Sequence, residues 1–192
     1  MKLLQSIKNI NLRGRLSRRT LVFAGGFLLL IALLLVFVAF RGPRFSSANF
    51  SIRAPYGWYQ DKLEGSDLKK LMVMRFRHKD PSATFHITTS TVSGQADFAT
   101  LPAKLKAEFE KAVKGFKEIG SSSITVDGNS ALLYEYTFND LNVSGQTYTT
   151  HQEMTIVQSG SKVYYLIGQS QDSKYEAVRE DITKIFDSFN LK

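Results

Sequence analysis

The chain has 192 residues, a formal charge of +8 and no cysteine. Without cysteine there are no disulfides, no thiolate metal sites, no cysteine nucleophile and no cysteine-linked lipid anchor. Residues 1–44 carry eight Lys or Arg and no acid, which leaves seventeen basic and seventeen acidic residues in 45–192; the rest of the chain thus has no net charge to attract a phosphate backbone, and nucleic acid is not an expected partner.

Residues 1–20 form a basic tail containing Lys2, Lys8, Arg13, Arg15, Arg18 and Arg19. Leu21–Phe40 (LVFAGGFLLLIALLLVFVAF) then runs for 20 residues with no charge. At about 1.5 Å per residue such a helix spans about 30 Å, the thickness of a bilayer's hydrocarbon core, so a transmembrane helix is expected. Six basic residues precede it and only Arg41 and Arg44 follow closely. The positive-inside rule therefore puts the tail in the cytoplasm and the C-terminal part outside the membrane. The competing reading is a cleaved signal peptide, with Ser46 and Ala48 as the small residues before the cut. The apolar run is longer than a signal peptide's usual ~7–15 residues, which favours an uncleaved anchor. Gly25–Gly26 does not have GxxxG spacing and implies no helix dimer.

Residues 41–48 (RGPRFSSA) read as a short linker, and 49–192 as one extracytoplasmic domain. Phe50–Ala54 reads as a strand, followed by a turn at Pro55–Tyr56–Gly57–Trp58. Trp58 is the only tryptophan and is expected at the rim of the core. Residues 60–69 are polar and read as a loop. Leu71–Phe76 and Thr84–Val92 read as two strands, with His86 on the polar side, opposite Phe85 and Ile87. The period then changes. Phe98, Leu101, Leu105, Phe109 and Val113 recur at three- and four-residue spacing, which predicts a helix over about Asp97–Lys114. Asp97 or Thr100 would cap it, Pro102 fits its first turn, and Gly115 would end it.

Four strands follow at about Phe116–Val126, Ser130–Phe138, Thr147–Gln158 and Lys162–Gln169, joined by turns at Asp127–Gly128–Asn129, Asn142–Gly145 and Ser159–Gly160–Ser161. They read as an antiparallel meander. Asp172 or Ser173 would cap a last helix with an apolar stripe of Tyr175, Val178, Ile182, Ile185, Phe186 and Phe189. The expected fold class is α+β: one largely antiparallel sheet with helices packed on it.

This order of elements resembles the PsbP-like family, an α-β-α sandwich. The resemblance is carried by Phe50-Ser-Ile-Arg-Ala-Pro-Tyr-Gly-Trp58, Gly128-Asn-Ser-Ala-Leu-Leu-Tyr-Glu-Tyr136, Val163-Tyr-Tyr-Leu-Ile167 and Ile185-Phe-Asp-Ser-Phe189, over about residues 49–190. Its best-known members are extrinsic photosystem II proteins, and the wider fold includes a Ran-binding import factor and bacterial lipoproteins. The resemblance implies a non-enzymatic accessory or binding domain. The membrane anchor and the lack of a Ser-rich transit peptide depart from the photosystem members, and no functional residue of the family maps onto this chain.

The residues themselves nominate no catalytic, cofactor-binding or metal site. His78, His86 and His151 show neither HxH nor HxxxH spacing. No GxSxG elbow or phosphate-binding glycine loop occurs, and Ser121–Ser122–Ser123 reads as a polar strand start or edge. Glu108 and Glu110 do not share a helix face. Glu135 and Glu153 are either an inward carboxylate pair or, the stronger expectation, part of a solvated sheet face. The recurrent tyrosines (134, 136, 148, 164, 165 and 175) are expected to pack across strands rather than to form a binding surface. Asn49 and Asn142 fit the N-glycosylation pattern. The expected partners are the membrane and a protein at its outer face; a small-ligand or metal sensor, and then a hydrolase, are the alternatives.

Overall fold

The computed structural model describes residues 42–80 and 82–192, together with Phe27 and Ile31, which are helical. The rest of the expected membrane segment Leu21–Phe40, and the tail 1–20, lie outside the described residues. No helix among the described residues is long and apolar enough to cross a membrane.

The chain divides into two compact units, Met1–Phe40 and Arg41–Lys192. In the second, the strands are β1 (Arg44–Ser46), β2 (Phe50–Arg53), β3 (Trp58–Gln60), β4 (Met72–His78), β5 (Thr84–Thr91), β6 (Lys117–Val126), β7 (Asn129–Leu141), β8 (Thr147–Ser159), β9 (Lys162–Gln171) and β10 (Asn190–Leu191). The helices are α1 (Gly65–Lys69), α2 (Leu101–Ala112) and α3 (Asp172–Asp187). Seven strands form one sheet in the order β3-β4-β5-β9-β8-β7-β6, and β1-β2-β10 form a second, smaller sheet. Every pairing is antiparallel. After β5 the chain crosses one face of the large sheet through α2, starts β6 at the far edge, and meanders back until β9 pairs with β5.

Side chains alternate along each strand, so the large sheet has two faces. Phe85, Ile87, Ala131, Val157, Tyr164 and Leu166 point one way and pack with Tyr175, Val178, Ile182 and Ile185 of α3. Leu132, Tyr134, Tyr136, Met154, Ile156 and Val163 point the other way and pack with Leu101, Leu105 and Phe109 of α2. Both helical stripes thus cover a sheet face as their spacing predicts, and the fold is α+β.

Several local readings change. Arg44–Ser46, expected in the linker, is an edge strand paired with β2. The linker's tertiary contacts begin at once: Ala54 N–H donates to the Pro43 carbonyl (3.2 Å), and a Cβ on Gly42 would sit 1.9 Å from the Ala54 oxygen. The polar stretch 60–69 is not all loop, because Gly65–Lys69 is helical and the Asp67 carboxylate accepts the Glu64 N–H (2.9 Å). A short strand or a single helical turn carries no periodicity to read; tertiary pairing decides it.

The caps of α2 lie close to expectation. Thr100 is the N-cap residue, without a side-chain cap on the helix N–H groups; Asp97 instead shapes the turn before it, accepting the Ala99 N–H (3.1 Å) and the Thr100 hydroxyl (2.8 Å). Gly115 follows α2 at φ +64°, where a Cβ would meet the Asn139 side chain at 2.3 Å. Gln171, not Asp172 or Ser173, is the N-cap position of α3. Asp172 is in its first turn and serves another purpose.

Candidate functional site

Beneath the N-terminal half of α3 the sheet presents charged groups instead of apolar ones. In β7 and β8, Glu135 stands directly opposite Glu153, and Thr137 opposite His151. His151 and Glu153 are two apart in one strand, so both point toward α3. His151 reaches diagonally to Glu135, with Nε2 2.8 Å from Oε1. Its Nδ1 is 3.0 Å from Oδ1 of Asp172. The imidazole stacks on Tyr175 with centroids 3.6 Å apart and planes 6° apart. Arg179, one helical turn further along, lies 4.0 Å from Glu135. One sheet face and one helix therefore join Glu135, His151, Glu153, Asp172, Tyr175 and Arg179 into a cluster.

The cluster is enclosed. Glu153 is 6 % exposed and Tyr175 1 %. Glu153 Oε2 and the Tyr175 hydroxyl are buried, and neither makes a hydrogen bond of ordinary geometry among the described residues. Burial pushes the Glu153 carboxyl above the ordinary carboxylate range; the Tyr175 hydroxyl pulls it back, and the Glu135 charge pushes it further up. Burial and the neighbouring Glu153 likewise hold the Tyr175 hydroxyl well above its ordinary value.

This arrangement sets limits on the chemistry. Each ring nitrogen of His151 faces a carboxylate oxygen, so both contacts are hydrogen bonds only when the ring carries two protons or a carboxyl carries one. No ring nitrogen is left to take a proton from a serine, as a nucleophile-activating base must. Among the described residues no group of three His, Asp or Glu side chains has geometry that could hold a metal ion. The cluster is built as a latch between sheet and helix.

A raised carboxyl favours folding in its protonated form. The benefit is complete below the unfolded value of about 4.3 and is lost as pH rises through the folded value, so at neutral pH the native state bears the cost of a buried carboxylate. Glu153→Gln removes that cost. Its urea midpoint is expected to exceed the parent's at pH 7, and the advantage to disappear near pH 4.

The expected solvated face at Glu135 and Glu153 is therefore corrected: they form the inward pair, and the stripe residue Tyr175 roofs it. His151-x-Glu153 was the readable signal, since i and i+2 share a strand face. The other histidines stand apart. His78 packs against Trp58 (centroids 5.2 Å). Trp58 itself is buried, and its Nε1 donates to Asp181 of α3 (3.3 Å). His86 does point away from Phe85 and Ile87, opposite Arg75. That side is not solvent, however: burial, then the Arg75 charge, pushes its pKa down to about 4. An unfolded histidine takes up its proton near 6.5, so His86 costs stability as pH falls from there toward 4. His86→Gln is expected to flatten the pH dependence of unfolding in that window by on the order of 2 kcal/mol. Of the tyrosines, 134, 136, 164 and 175 are buried in packing roles; Tyr136 also accepts a hydrogen bond from Gln152.

An open groove of about 630 Å³ lies at one end of the sheet, lined in part by Gln95, Phe98, Asn129, Ser130, Gln158 and Ser161. Gln158 shapes its wall. Its Oε1 accepts the Ala96 N–H (2.6 Å), and its Nε2 donates to the carbonyls of Gly94 (2.7 Å) and Gly160 (2.8 Å). The lining has no charged side chain.

The PsbP family model matches residues 44–191. No curated protein matches the chain by sequence. Among solved structures, the chain is similar to the cyanobacterial PsbP (CyanoP) of Synechocystis sp. PCC 6803, with TM-score 0.59 and 14 % identity over 78 % of this chain and 92 % of that one. It is also similar to LpqN of Mycobacterium tuberculosis, described as involved in cell envelope biogenesis, with TM-score 0.57 and 17 % identity over 79 % and 85 %. A third likeness is to the Ran-binding protein Mog1p of Saccharomyces cerevisiae, with TM-score 0.54 and 6 % identity over 78 % and 94 %. At these identities the likeness is one of fold.

Proposed function

The chain belongs to the PsbP family, and from that premise we propose that it is a non-catalytic interaction module, held by Leu21–Phe40 at the outer face of a membrane and recruiting a protein there. The observation that carries this reading is the partition of charge. All eight excess positive charges flank one uncharged 20-residue apolar segment, and the remainder of the chain is balanced. The start of the domain supports an uncleaved anchor. A cut after Ala48 would remove β1, whose Phe45 packs edge-on against Phe76 (4.8 Å). The non-catalytic part rests on His151, whose two nitrogens are both occupied by carboxylates. LpqN, a relative in fold, is described as involved in cell envelope biogenesis.

Carbonate washing tests the anchor. The full chain is expected to stay in the membrane pellet, and a chain lacking residues 1–40 to appear in the supernatant. Release of the full chain would overturn the reading.

The groove beside Gln158 favours a second reading, a sensor for a small neutral polar ligand. A rise in melting temperature with one compound of a neutral metabolite panel, lost in Gln158→Ala, would favour it.

A further inference from the structure

The sheet face that packs with α2 changes character near its end. Leu132 and Ile156 bury their side chains there. Ser130, two residues before Leu132, points to the same face, and Thr125 of β6 stands directly opposite it. Gln158, two residues after Ile156, points the same way. Thr125, Ser130 and Gln158 thus make a polar row across three neighbouring strands. The groove beside Gln158 opens over this row, and it continues. A second cavity of about 420 Å³ reaches Ser123 and Thr125, and the two share Gln95, Phe98 and Ser130. Together they form one trough from β6 to the turn that starts β9, about 12–14 Å at the ordinary strand spacing. Neither lining contains a charged side chain, although 22 % of the chain's residues are Asp, Glu, Lys or Arg.

We propose that this trough binds a neutral saccharide chain, laid across the strands along the Thr125–Ser130–Gln158 row. The proposal rests on the reading of the groove as a neutral-ligand site and names the ligand's class. Three features suit a sugar chain. The first is the polar inventory. Thr125, Ser130, Ser161 and Gln95 are all exposed and offer hydroxyls and an amide, groups that both donate and accept, as sugar hydroxyls do. They stand on a sheet face and not as the free N–H and C=O groups of an edge, which a peptide backbone would need. The second is Phe98. It is half-buried against the α2 side of the core and borders both cavities, so it gives the C–H face of a sugar ring an apolar surface. The third is a wall fixed in advance. Gln158 spends both ends of its amide on Ala96, Gly94 and Gly160, and Val92 N–H donates to the Ser161 carbonyl (2.8 Å). Ordering that wall costs nothing when a ligand arrives. The trough is longer than one sugar ring, and the missing charge gives an ionic ligand no partner.

The test is a titration of the full chain in phosphatidylcholine nanodiscs, which carry no sugar headgroup. The probes are maltotetraose, cellotetraose and chitotetraose, the monosaccharides glucose and N-acetylglucosamine, tetragalacturonate, and an uncharged Ser-Asn-Gly octapeptide. At least one neutral tetrasaccharide is expected to bind roughly tenfold or more tightly than its monosaccharide, and tetragalacturonate not to bind. Thr125→Val and Ser130→Ala should each weaken that tetrasaccharide about fivefold, the effect of one lost hydrogen bond. Both positions are exposed, so the melting temperature should not move. Ser144→Ala, in the β7–β8 turn, should change neither. A tetrasaccharide that binds no tighter than its monosaccharide would overturn the proposal and leave the small-ligand sensor standing. Binding of the peptide alone, or sugar binding that ignores Thr125→Val and Ser130→Ala, would also overturn it. So would the absence of binding by every neutral sugar; the sensor reading then stands or falls on the metabolite panel alone.

Discussion

His151→Ala is expected to destabilise the domain by about 2–4 kcal/mol in urea unfolding at pH 7, somewhat under the ~3–5 kcal/mol for removing one partner of a fully buried polar pair because Asp172 is half exposed. Three losses coincide. Glu135 keeps only the Arg179 guanidinium at 4.0 Å. Asp172 loses its tie to the sheet, and Tyr175 loses the ring stacked on it. The remaining acids, with Glu153, then face one another under α3 with less compensation. Asp172→Asn should cost much less, because that side chain is half exposed and its amide still reaches the ring. A loss under about 0.5 kcal/mol for His151→Ala would mean that the cluster is not a latch.

Gly168→Val is expected to cost about 3 kcal/mol by unseating the same helix further along. Gly168 lies on β9 directly across from Glu153, and a Cβ there would sit 2.4 Å from Cγ2 of Ile182. Ile182 is fully buried in α3, so neither side chain has space to turn aside. Ile182→Ala should therefore cost less in the Gly168→Val background than in the parent. A double-mutant cycle of chemical unfolding measures that coupling, and strict additivity would show that the helix does not rest on the glycine.

The sequence displayed the parts of this fold that repeat. The strand runs of β4 to β9 and the stripes of α2 and α3 follow from alternation and three-to-four spacing, properties of each segment alone. It did not display β1, α1 or β10, which are too short to carry a period. Nor did it display the β5–β9 pairing, which depends on where the α2 crossover sets the chain down. The candidate site was hidden for a related reason. Glu135, His151, Asp172 and Tyr175 lie on two strands and a helix, and only His151-x-Glu153 is local. Acidic residues are expected in water, and Glu153 lies indoors because His151, Tyr175 and the end of α3 close over it.

We propose that this PsbP-family domain works outside a membrane while its basic tail stays inside. Cysteine labelling on intact cells tests it most directly, since the native chain contributes no thiol. Ser144→Cys, exposed in the β7–β8 turn, should react with a membrane-impermeant maleimide before lysis. Ser6→Cys in the tail should react only afterward. The reverse pattern, or protection of both positions until lysis, would contradict the claim.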